Sequence, residues 1–244
     1  FASRDLCHGV LPLAGRIPQW MHRTCAGDEL HSWVEEFGSP LNVINPEVLK
    51  ENIRDLTAAT ESRGVDCQVF FARKANKCLA FVDAANDIGA GVDTASEHEL
   101  LQVLDRGVPS ERIVCTAAVK TEDLMRLCLE ANVTMVIDNL EELRVVNALA
   151  AERQVDADVA LRISGFMHYA TLLRSRFGFN FEDVVTQVVN TLPAAEQGRL
   201  NIGGVHFHLE GYCPGHRISA IRQSMGVIEG LRRCGYRPRF LDIG

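Results

Sequence analysis

The sequence predicts an α/β fold in which parallel strands form a TIM-type (β/α)8 barrel. From residue 38 onwards, a unit of short apolar strand, loop and amphipathic helix repeats along the chain, which is typical of parallel sheets with right-handed crossovers. An open doubly wound sheet fits the same pattern, but such a sheet usually carries a glycine-rich turn after its first strand. The corresponding turn, Arg73-Lys74-Ala75-Asn76, contains no glycine, so we favour the barrel.

Seven short apolar runs are the predicted barrel strands. They span residues 65–72, 90–94, 113–116, 134–137, 159–163, 202–209 and 240–243. Because a closed barrel needs eight strands, we expect the barrel to be incomplete in this chain. The sequence begins without Met and stops at Gly244 directly after an apolar run, so we also expect a fragment of a longer protein.

The chain ahead of the barrel is expected to differ from the rest. Residues 1–37 are predicted to form an irregular leader that ends in a short helix over Glu29–Phe37. An extra strand is expected at 41–44. Residues 38–244 then form one barrel domain, whose first helix begins at Asn45-Pro46-Glu47 with an N-cap, a proline and an acid in the first turn.

Later helices start at residues that can cap free backbone amides. Ser96 and Glu99 have the spacing of a capping box, and we assign both to helix capping. Thr121 and Asn139 precede apolar residues with helical spacing in the same way. We expect Lys120, which lies directly before such a helix, to be solvated.

The composition excludes several classes of partner. The chain has 244 residues, with 25 Lys and Arg against 32 Asp and Glu, and a net charge of −7. No segment concentrates basic residues as a nucleic-acid or anionic-membrane surface requires, and no apolar run reaches the roughly 18 residues of a membrane helix. The eight cysteines form no CxxC pair, so we expect reduced thiols, a cytoplasmic location and no nucleic-acid or membrane partner.

Lys74 is the first candidate for catalysis, because it lies where a predicted strand ends, on the face at which parallel barrels collect functional groups. A lysine there can form a Schiff base if burial or nearby charge keeps it partly deprotonated. Phe71-Ala72-Arg73-Lys74-Ala75-Asn76 resembles the Tyr-Ala-Val-Lys-Ala-Asn signature of pyridoxal-phosphate (PLP) enzymes with an alanine-racemase-like barrel. The resemblance implies that Lys74 is catalytic and holds pyridoxal 5'-phosphate.

A second block extends the resemblance. Residues 89–100 are similar to the Gly-x-Gly-x-Asp-x-x-Ser-x-x-Glu-Leu segment of ornithine and diaminopimelate decarboxylases. The resemblance implies that Asp93 lies beside Lys74, where a carboxylate favours the protonated amine. It also implies that Arg162 lies near the cofactor. An arginine inside an apolar strand must find an anion, because an unpaired buried guanidinium is costly.

His206 and His208 alternate along one predicted strand, so both point to the same side of it. Such a pair could bind a metal, but no third ligand is evident and we assign no metal. The resemblance instead implies that the His208 imidazole stacks on the cofactor ring. His206 is then a buried or supporting residue.

The resemblance weakens after the second histidine. The decarboxylases continue with Val or Ile, then Gly and a phosphate-binding Ser, whereas this chain continues Leu209-Glu210-Gly211-Tyr212. An acid at Glu210 would repel a phosphate if it pointed inward. Either Gly211 and Tyr212 take over the phosphate contact, which makes both cofactor-binding candidates, or this segment binds something else.

Residues 240–244 resemble the start of a glycine loop that wraps the cofactor phosphate with backbone amides, which makes Gly244 a further binding candidate. The family continues with an eighth strand and a C-terminal β domain, which we expect to be absent here, and forms homodimers. The resemblance thus implies the incomplete PLP-binding barrel of a homodimeric amino-acid decarboxylase of the diaminopimelate, ornithine or arginine type. An amino-acid racemase on the same barrel and a non-catalytic PLP-binding or regulatory homologue are the alternatives.

Overall fold

The structure is a computed structural model that describes residues 18–173, 175–192, 199–211 and 213–244. Within these ranges the helices are α1 Gln19–Ala26, α2 Glu29–Phe37, α3 Glu47–Glu61, α4 Leu79–Asp87, α5 Glu97–Asp105, α6 Glu122–Glu130, α7 Leu140–Arg153, α8 Val184–Thr191 and α9 Pro214–Arg233. The strands are β1 Phe70–Ala72, β2 Gly91–Thr94, β3 Ile113–Cys115, β4 Thr134–Ile137, β5 Ala157–Ser164, β6 Met167–His168, β7 Thr171–Leu172, β8 Phe179–Asn180, β9 Leu200–His206 and β10 Phe240–Asp242. None of these helices has both the length and the hydropathy needed to cross a membrane.

Seven of the strands form one parallel sheet, in the order β1-β2-β3-β4-β5-β9-β10. Helices connect successive strands of this path, as the alternating sequence pattern predicts. β8 adds a short parallel pair to β5, and β6 and β7 form a small antiparallel hairpin. Within the described ranges β1 and β10 are the two edges and do not pair with each other, so the sheet is an open part of a barrel. The predicted α/β barrel with about seven strands is confirmed.

The region before the sheet differs in part from the prediction. Residues 18–37 form two helices, and α2 is the short helix expected there, while residues 1–17 lie outside the described part of the chain. The strand expected at 41–44 is wrong, because these residues pair with no other strand. Val43 and Ile44 instead line an apolar groove. Their apolar character therefore reflects packing against neighbouring side chains.

The helix starts confirm the expected caps at Ser96, Thr121 and Asn139, whereas the Glu99 carboxylate accepts from Ala95 N at 2.9 Å and pairs with Lys77 instead of closing a capping box with Ser96 N. At each of the three caps a side-chain oxygen accepts a hydrogen bond from an amide that has no partner within the helix. The pairs are Ser96 Oγ with Glu99 N at 3.3 Å, Thr121 Oγ1 with Leu124 N at 3.2 Å, and Asn139 Oδ1 with Glu142 N at 3.0 Å. Helices α5, α6 and α7 thus begin where the sequence places them.

Side chains alternate between the two faces of the sheet. The outer face packs against the helices in one large apolar core, in which Val92 and Val205 are fully buried. Each such buried aliphatic side chain stabilises the fold by about 2 kcal/mol. The inner face carries a separate small apolar cluster of Val114, Val136 and Ala160. The helices and the core therefore leave the inner face free for other side chains.

Two glycines on the inner face make room for aromatic rings from neighbouring strands. Phe70 of β1 lies opposite Gly91 of β2, and Phe240 of β10 lies opposite Gly204 of β9. A Cβ atom at either glycine would collide with the opposing phenylalanine ring. The inner face is therefore apolar at these positions, and polar side chains such as Asp93 and His206 follow two residues later on the same strands.

Candidate active site

A group of polar side chains lies on the inner face at or just beyond the carboxyl ends of the strands. These side chains alternate with core residues, as Asp93 alternates with Val92 and His206 alternates with Val205. The group comprises Asp93, Thr116, Asp138, Arg162, His206 and Asp242. Parallel barrels hold their functional groups at this end of the sheet.

Lys74 follows β1 in a tight turn, which a hydrogen bond from Ala75 N to Ala72 O closes at 3.0 Å. Lys74 is exposed. Among the described residues its amine makes no hydrogen bond or ion pair, although its charge acts on Asp93 and His208. The structure thus brings these three predicted site residues together and leaves the amine available to a ligand.

Asp93 accepts a hydrogen bond from Thr116 Oγ1 to Oδ1 at 2.7 Å. Burial raises the pKa of the Asp93 carboxyl to about 6, because the bond from Thr116 and the charge of Lys74 offset the desolvation only in part. A carboxyl group with this pKa exchanges protons near neutral pH, which suits an acid–base role.

His208 lies just beyond β9 and is exposed. Partial burial, together with the positive charges of Lys74 and Arg162, lowers the pKa of His208 below its usual value. The imidazole is therefore neutral at physiological pH. A neutral ring avoids the charge repulsion that an imidazolium would experience from these two cations.

His206 is buried and its Nδ1 lies 2.8 Å from Asp242 Oδ2. Asp242 Oδ1 also accepts a hydrogen bond from Gly244 N at 2.9 Å. Burial alone would raise the pKa of Asp242, but the bond to His206 and its charge outweigh burial and lower it. Within the described residues no three His, Cys, Asp or Glu side chains form a group that could hold a metal ion.

Arg162 finds its anion in Asp138, a residue that the sequence analysis missed. Arg162 Nη1 donates to Asp138 Oδ1 at 3.2 Å, and Gly178 N donates to Asp138 Oδ2 at 3.0 Å. The guanidinium also lies over the Phe177 ring, 4.8 Å from its centre. Both charged side chains are about nine-tenths buried. Asp138 therefore fixes Arg162 at the edge of the site and joins the loop that contains Phe177 and Gly178 to β4.

Lys120 is buried, so the expectation that it is solvated is wrong. Its Nζ donates to Glu142 Oε2 at 2.9 Å and to Ala117 O at 2.7 Å. Glu142 Oε2 also accepts a hydrogen bond from Asp138 N at 2.8 Å. Lys120 is buried because of a tertiary contact: the first turn of α7 presents a buried carboxylate to the loop after β3. Lys120 thus has a structural partner outside the group of site residues.

Two of the candidate phosphate-binding residues adopt the left-handed backbone conformation that favours glycine. Gly211 has φ 77° and Gly244 has φ 76°. A Cβ atom at Gly211 would meet nothing within 4 Å, so the backbone there is open. Glu210 is exposed, and Tyr212 lies outside the described residues.

The hydrogen-bonding partners of the candidate residues are not recognisable from the sequence motifs. Thr116, Asp138 and Asp242 each bind a residue that a motif identified, but each lies on a different strand from its partner. The available signal was positional: all three lie at the carboxyl end of an apolar run, where parallel strands bring polar side chains together.

Comparison with known proteins gives a family match over most of the chain. Residues 49–244 match the family described as pyridoxal-dependent decarboxylase, pyridoxal binding domain. An uncharacterized protein of Sinorhizobium fredii is 32% identical over 219 residues, which cover 89% of this chain and 46% of that protein. A diaminopimelate decarboxylase of Methanocaldococcus jannaschii is 31% identical over 224 residues, which cover 86% of this chain and 51% of the enzyme.

The fold has close counterparts among solved structures. The crystal structure of diaminopimelate decarboxylase from M. jannaschii in co-complex with L-lysine matches with a TM-score of 0.75 at 27% identity. The match covers 86% of this chain and 51% of that chain. The chain thus spans about half the length of the relatives that it matches.

Proposed function

The chain belongs to the pyridoxal-dependent decarboxylases through their pyridoxal-binding domain, and we propose that it is the cofactor-binding part of an amino-acid decarboxylase in which Lys74 binds pyridoxal 5'-phosphate covalently. The observation that carries this proposal is the unpaired, exposed amine of Lys74 at the carboxyl end of β1. It lies close enough to Asp93 and His208 for its charge to act on both. The proposed substrate is an amino acid of the diaminopimelate, ornithine or arginine type.

The residues of the site fit the chemistry of this cofactor. The aldehyde of pyridoxal 5'-phosphate forms its covalent bond with a free amine, which Lys74 offers. A phosphate needs backbone amides, and the left-handed backbone at Gly211 is open to a ligand. Gly244 has the same conformation, but its amide already donates to Asp242 Oδ1, so its part in the proposal is the close approach that a residue without a side chain allows. We propose that Gly211 and Gly244 bind the phosphate with Tyr212, and that the exposure of Glu210 lets its carboxylate remain in water. When bound, the cofactor withdraws electrons from the α-carbon of an amino acid that has lost its carboxylate.

Each neighbour of Lys74 has a defined task in this proposal. Asp93 holds or releases a proton close to Lys74 Nζ, since a pKa of about 6 lets it do both near neutral pH. His208 places a neutral ring beside the amine, where we propose that it stacks on the cofactor. Arg162, held by Asp138, adds a fixed positive charge to the polar surround of the site.

The described residues supply the part of the proposed site that holds the cofactor. We propose that the enzyme acts as a homodimer in the cytoplasm, as the sequence resemblance implies. The small-molecule substrate would then be recognised by groups outside the described residues. The inner face of the sheet provides the amine, the proton-holding carboxyl group and the ring, which are the parts that bind and orient the cofactor.

The test is an absorption spectrum of the protein, produced from its whole natural coding sequence and purified. The spectrum is recorded with and without added pyridoxal 5'-phosphate. We expect a visible band that disappears on borohydride reduction, and a reduced adduct that mass spectrometry locates on the Lys74 peptide. Lys74→Ala should lose the band, whereas Lys50→Ala, which alters a lysine already paired with Glu47 and Asp87, should keep it. Absence of the band in the wild-type protein would refute the proposal. Amino acids are then screened for release of carbon dioxide.

A further inference from the structure

Arg73, the residue directly before Lys74, is buried although it is charged. Only 1% of Arg73 is exposed, and it is the largest of the fully buried side chains in the described part of the protein. We propose that Arg73 is a positioning residue, whose guanidinium ties the turn that carries Lys74 to helix α5. This inference rests on the proposed function only in so far as Lys74 is the residue that the turn presents.

The side chains of Arg73 and Lys74 lie on opposite sides of the sheet. Arg73 N donates to Asp93 O at 2.9 Å, so Arg73 still follows the strand pairing of β1 with β2. The Arg73 side chain enters the helix layer, where it contacts Gln102 of α5, while the charge of Lys74 acts on Asp93 on the inner face. A change in the position of the Arg73 side chain therefore acts directly on the backbone of Lys74.

The guanidinium joins both ends of the turn to a helix. Arg73 Nη1 donates to Lys77 O at 2.8 Å, and Nη2 donates to Gln102 Oε1 of α5 at 2.5 Å. A second contact lies one turn earlier on the same helix, where Lys77 Nζ pairs with Glu99. The planar fork of arginine holds two acceptors in a fixed relative orientation, which a lysine cannot do.

The burial of Arg73 is hard to explain as a contribution to stability alone. Lys120 and Arg162 are also buried, but each pairs with a carboxylate. Arg73 has no carboxylate within ion-pair distance among the described residues, and its Nε is buried without a hydrogen-bond partner. An apolar side chain of similar volume would avoid the desolvation of a charge. The signature that this segment resembles has Val at this position, so the contact to Gln102 is a feature of this chain.

The test compares Arg73→Met, Arg73→Lys and a matched control. Arg112 supplies the control, because its guanidinium also binds an amide oxygen, Asn86 Oδ1 at 2.8 Å, and a backbone carbonyl, Ala90 O at 3.2 Å, far from Lys74 in the fold. Hydrogen–deuterium exchange of amides 74–78 is measured in the protein without cofactor, and the affinity for pyridoxal 5'-phosphate is measured separately.

We expect Arg73→Met and Arg73→Lys to speed exchange at 74–78 by about tenfold and to weaken cofactor binding by a similar factor, because a hydrogen bond to a charged group contributes about that much to a local equilibrium. Arg112→Met should change neither by more than about twofold. If Arg73→Met fails to fold, Gln102→Met removes the acceptor alone and should give the same two changes. Unchanged exchange at 74–78 in the Arg73 variants, or equal effects of Arg112→Met, would overturn the inference. Faster exchange in a protein whose wild type binds no cofactor would support the positioning of the turn and refute the proposed function instead.

Discussion

His206 Nδ1 and Asp242 Oδ2 lie 2.8 Å apart and join β9 to the neighbouring strand β10. The same carboxylate accepts the amide of Gly244 through its other oxygen. Asp242 thus connects the strand that precedes His208 with Gly244, a residue of the proposed phosphate site. One side chain therefore sets the relative position of two parts of the proposed site.

Asp242→Asn should reduce the free energy of unfolding by about 1–2 kcal/mol at pH 7, since it removes a hydrogen bond that involves a charged group. The lowered pKa of Asp242 gives the sign of the pH dependence: its contribution is present above pH 3.8 and is lost as the pH falls below that value. Urea unfolding between pH 3 and pH 7 measures the difference. Asp158→Asn, which alters an acid whose cation, Arg239, is exposed, should cost less. A gap that widens towards low pH would contradict the prediction.

Asp93→Asn should stabilise the cofactor-free protein at pH 7 by about 2 kcal/mol, because the native state raises the pKa of Asp93 and thus disfavours its charged form. With a folded pKa of about 6 against 3.8, the contribution of Asp93 is complete below pH 3.8 and is lost as the pH rises through 6. The stability of the variant and the wild type should therefore converge near pH 4. The variant should also bind pyridoxal 5'-phosphate more weakly. A variant less stable than the wild type at pH 7 would refute this account of Asp93.

Thr116→Val should raise the pKa of Asp93 further, because the hydroxyl of Thr116 stabilises the carboxylate by donating to Oδ1. The midpoint of the pH dependence of cofactor binding should then move to higher pH. Thr94→Val is the matched control, since Thr94 Oγ1 donates to a backbone carbonyl, Val114 O, and to no carboxylate. The same shift in both variants would show that the hydroxyl of Thr116 is not its cause.

Asp138→Ala should lower the free energy of unfolding by about 3 kcal/mol, because it leaves the Arg162 guanidinium buried without an anion. Adding Arg162→Met should recover part of this loss, and a double-mutant cycle measures the coupling between the two side chains. Additive effects of the two substitutions would contradict the pairing.

Lys120→Met should destabilise the fold by about 3 kcal/mol, because Glu142 remains buried without its cation. The fraction of protein that binds pyridoxal 5'-phosphate at saturation should stay that of the wild type, since Lys120 pairs outside the group around Lys74. Chemical denaturation and absorption spectroscopy test the two statements separately. Loss of binding in a folded variant would place Lys120 in the site after all.

The number and order of the sheet strands were predictable because each is a local run of apolar residues between capped helices, although β1 begins at Phe70 and not at residue 65. The caps at Ser96, Thr121 and Asn139 fixed the helix starts. The prediction of a strand at 41–44 was wrong for the same reason that the others succeeded: it used only the local apolar pattern. Such a pattern does not distinguish an apolar segment that packs on helices from one that pairs in a sheet. Site residues followed from the chemistry and motifs of single segments. Their partners, such as Asp138 for Arg162, depend on which strands are neighbours.

On the inner face, each of two phenylalanine rings lies opposite a glycine, so the sizes of the residues at these paired positions should co-vary in evolution. Gly91 can gain a side chain only if Phe70 becomes smaller or its ring moves away, and Gly204 stands in the same relation to Phe240. Such positions should change in step, so a substitution at one of them is tolerated only after its partner has changed. The two rings also lie on the inner face below the polar groups. We expect them to limit how deeply a ligand enters the site, although neither ring contacts the reacting atoms.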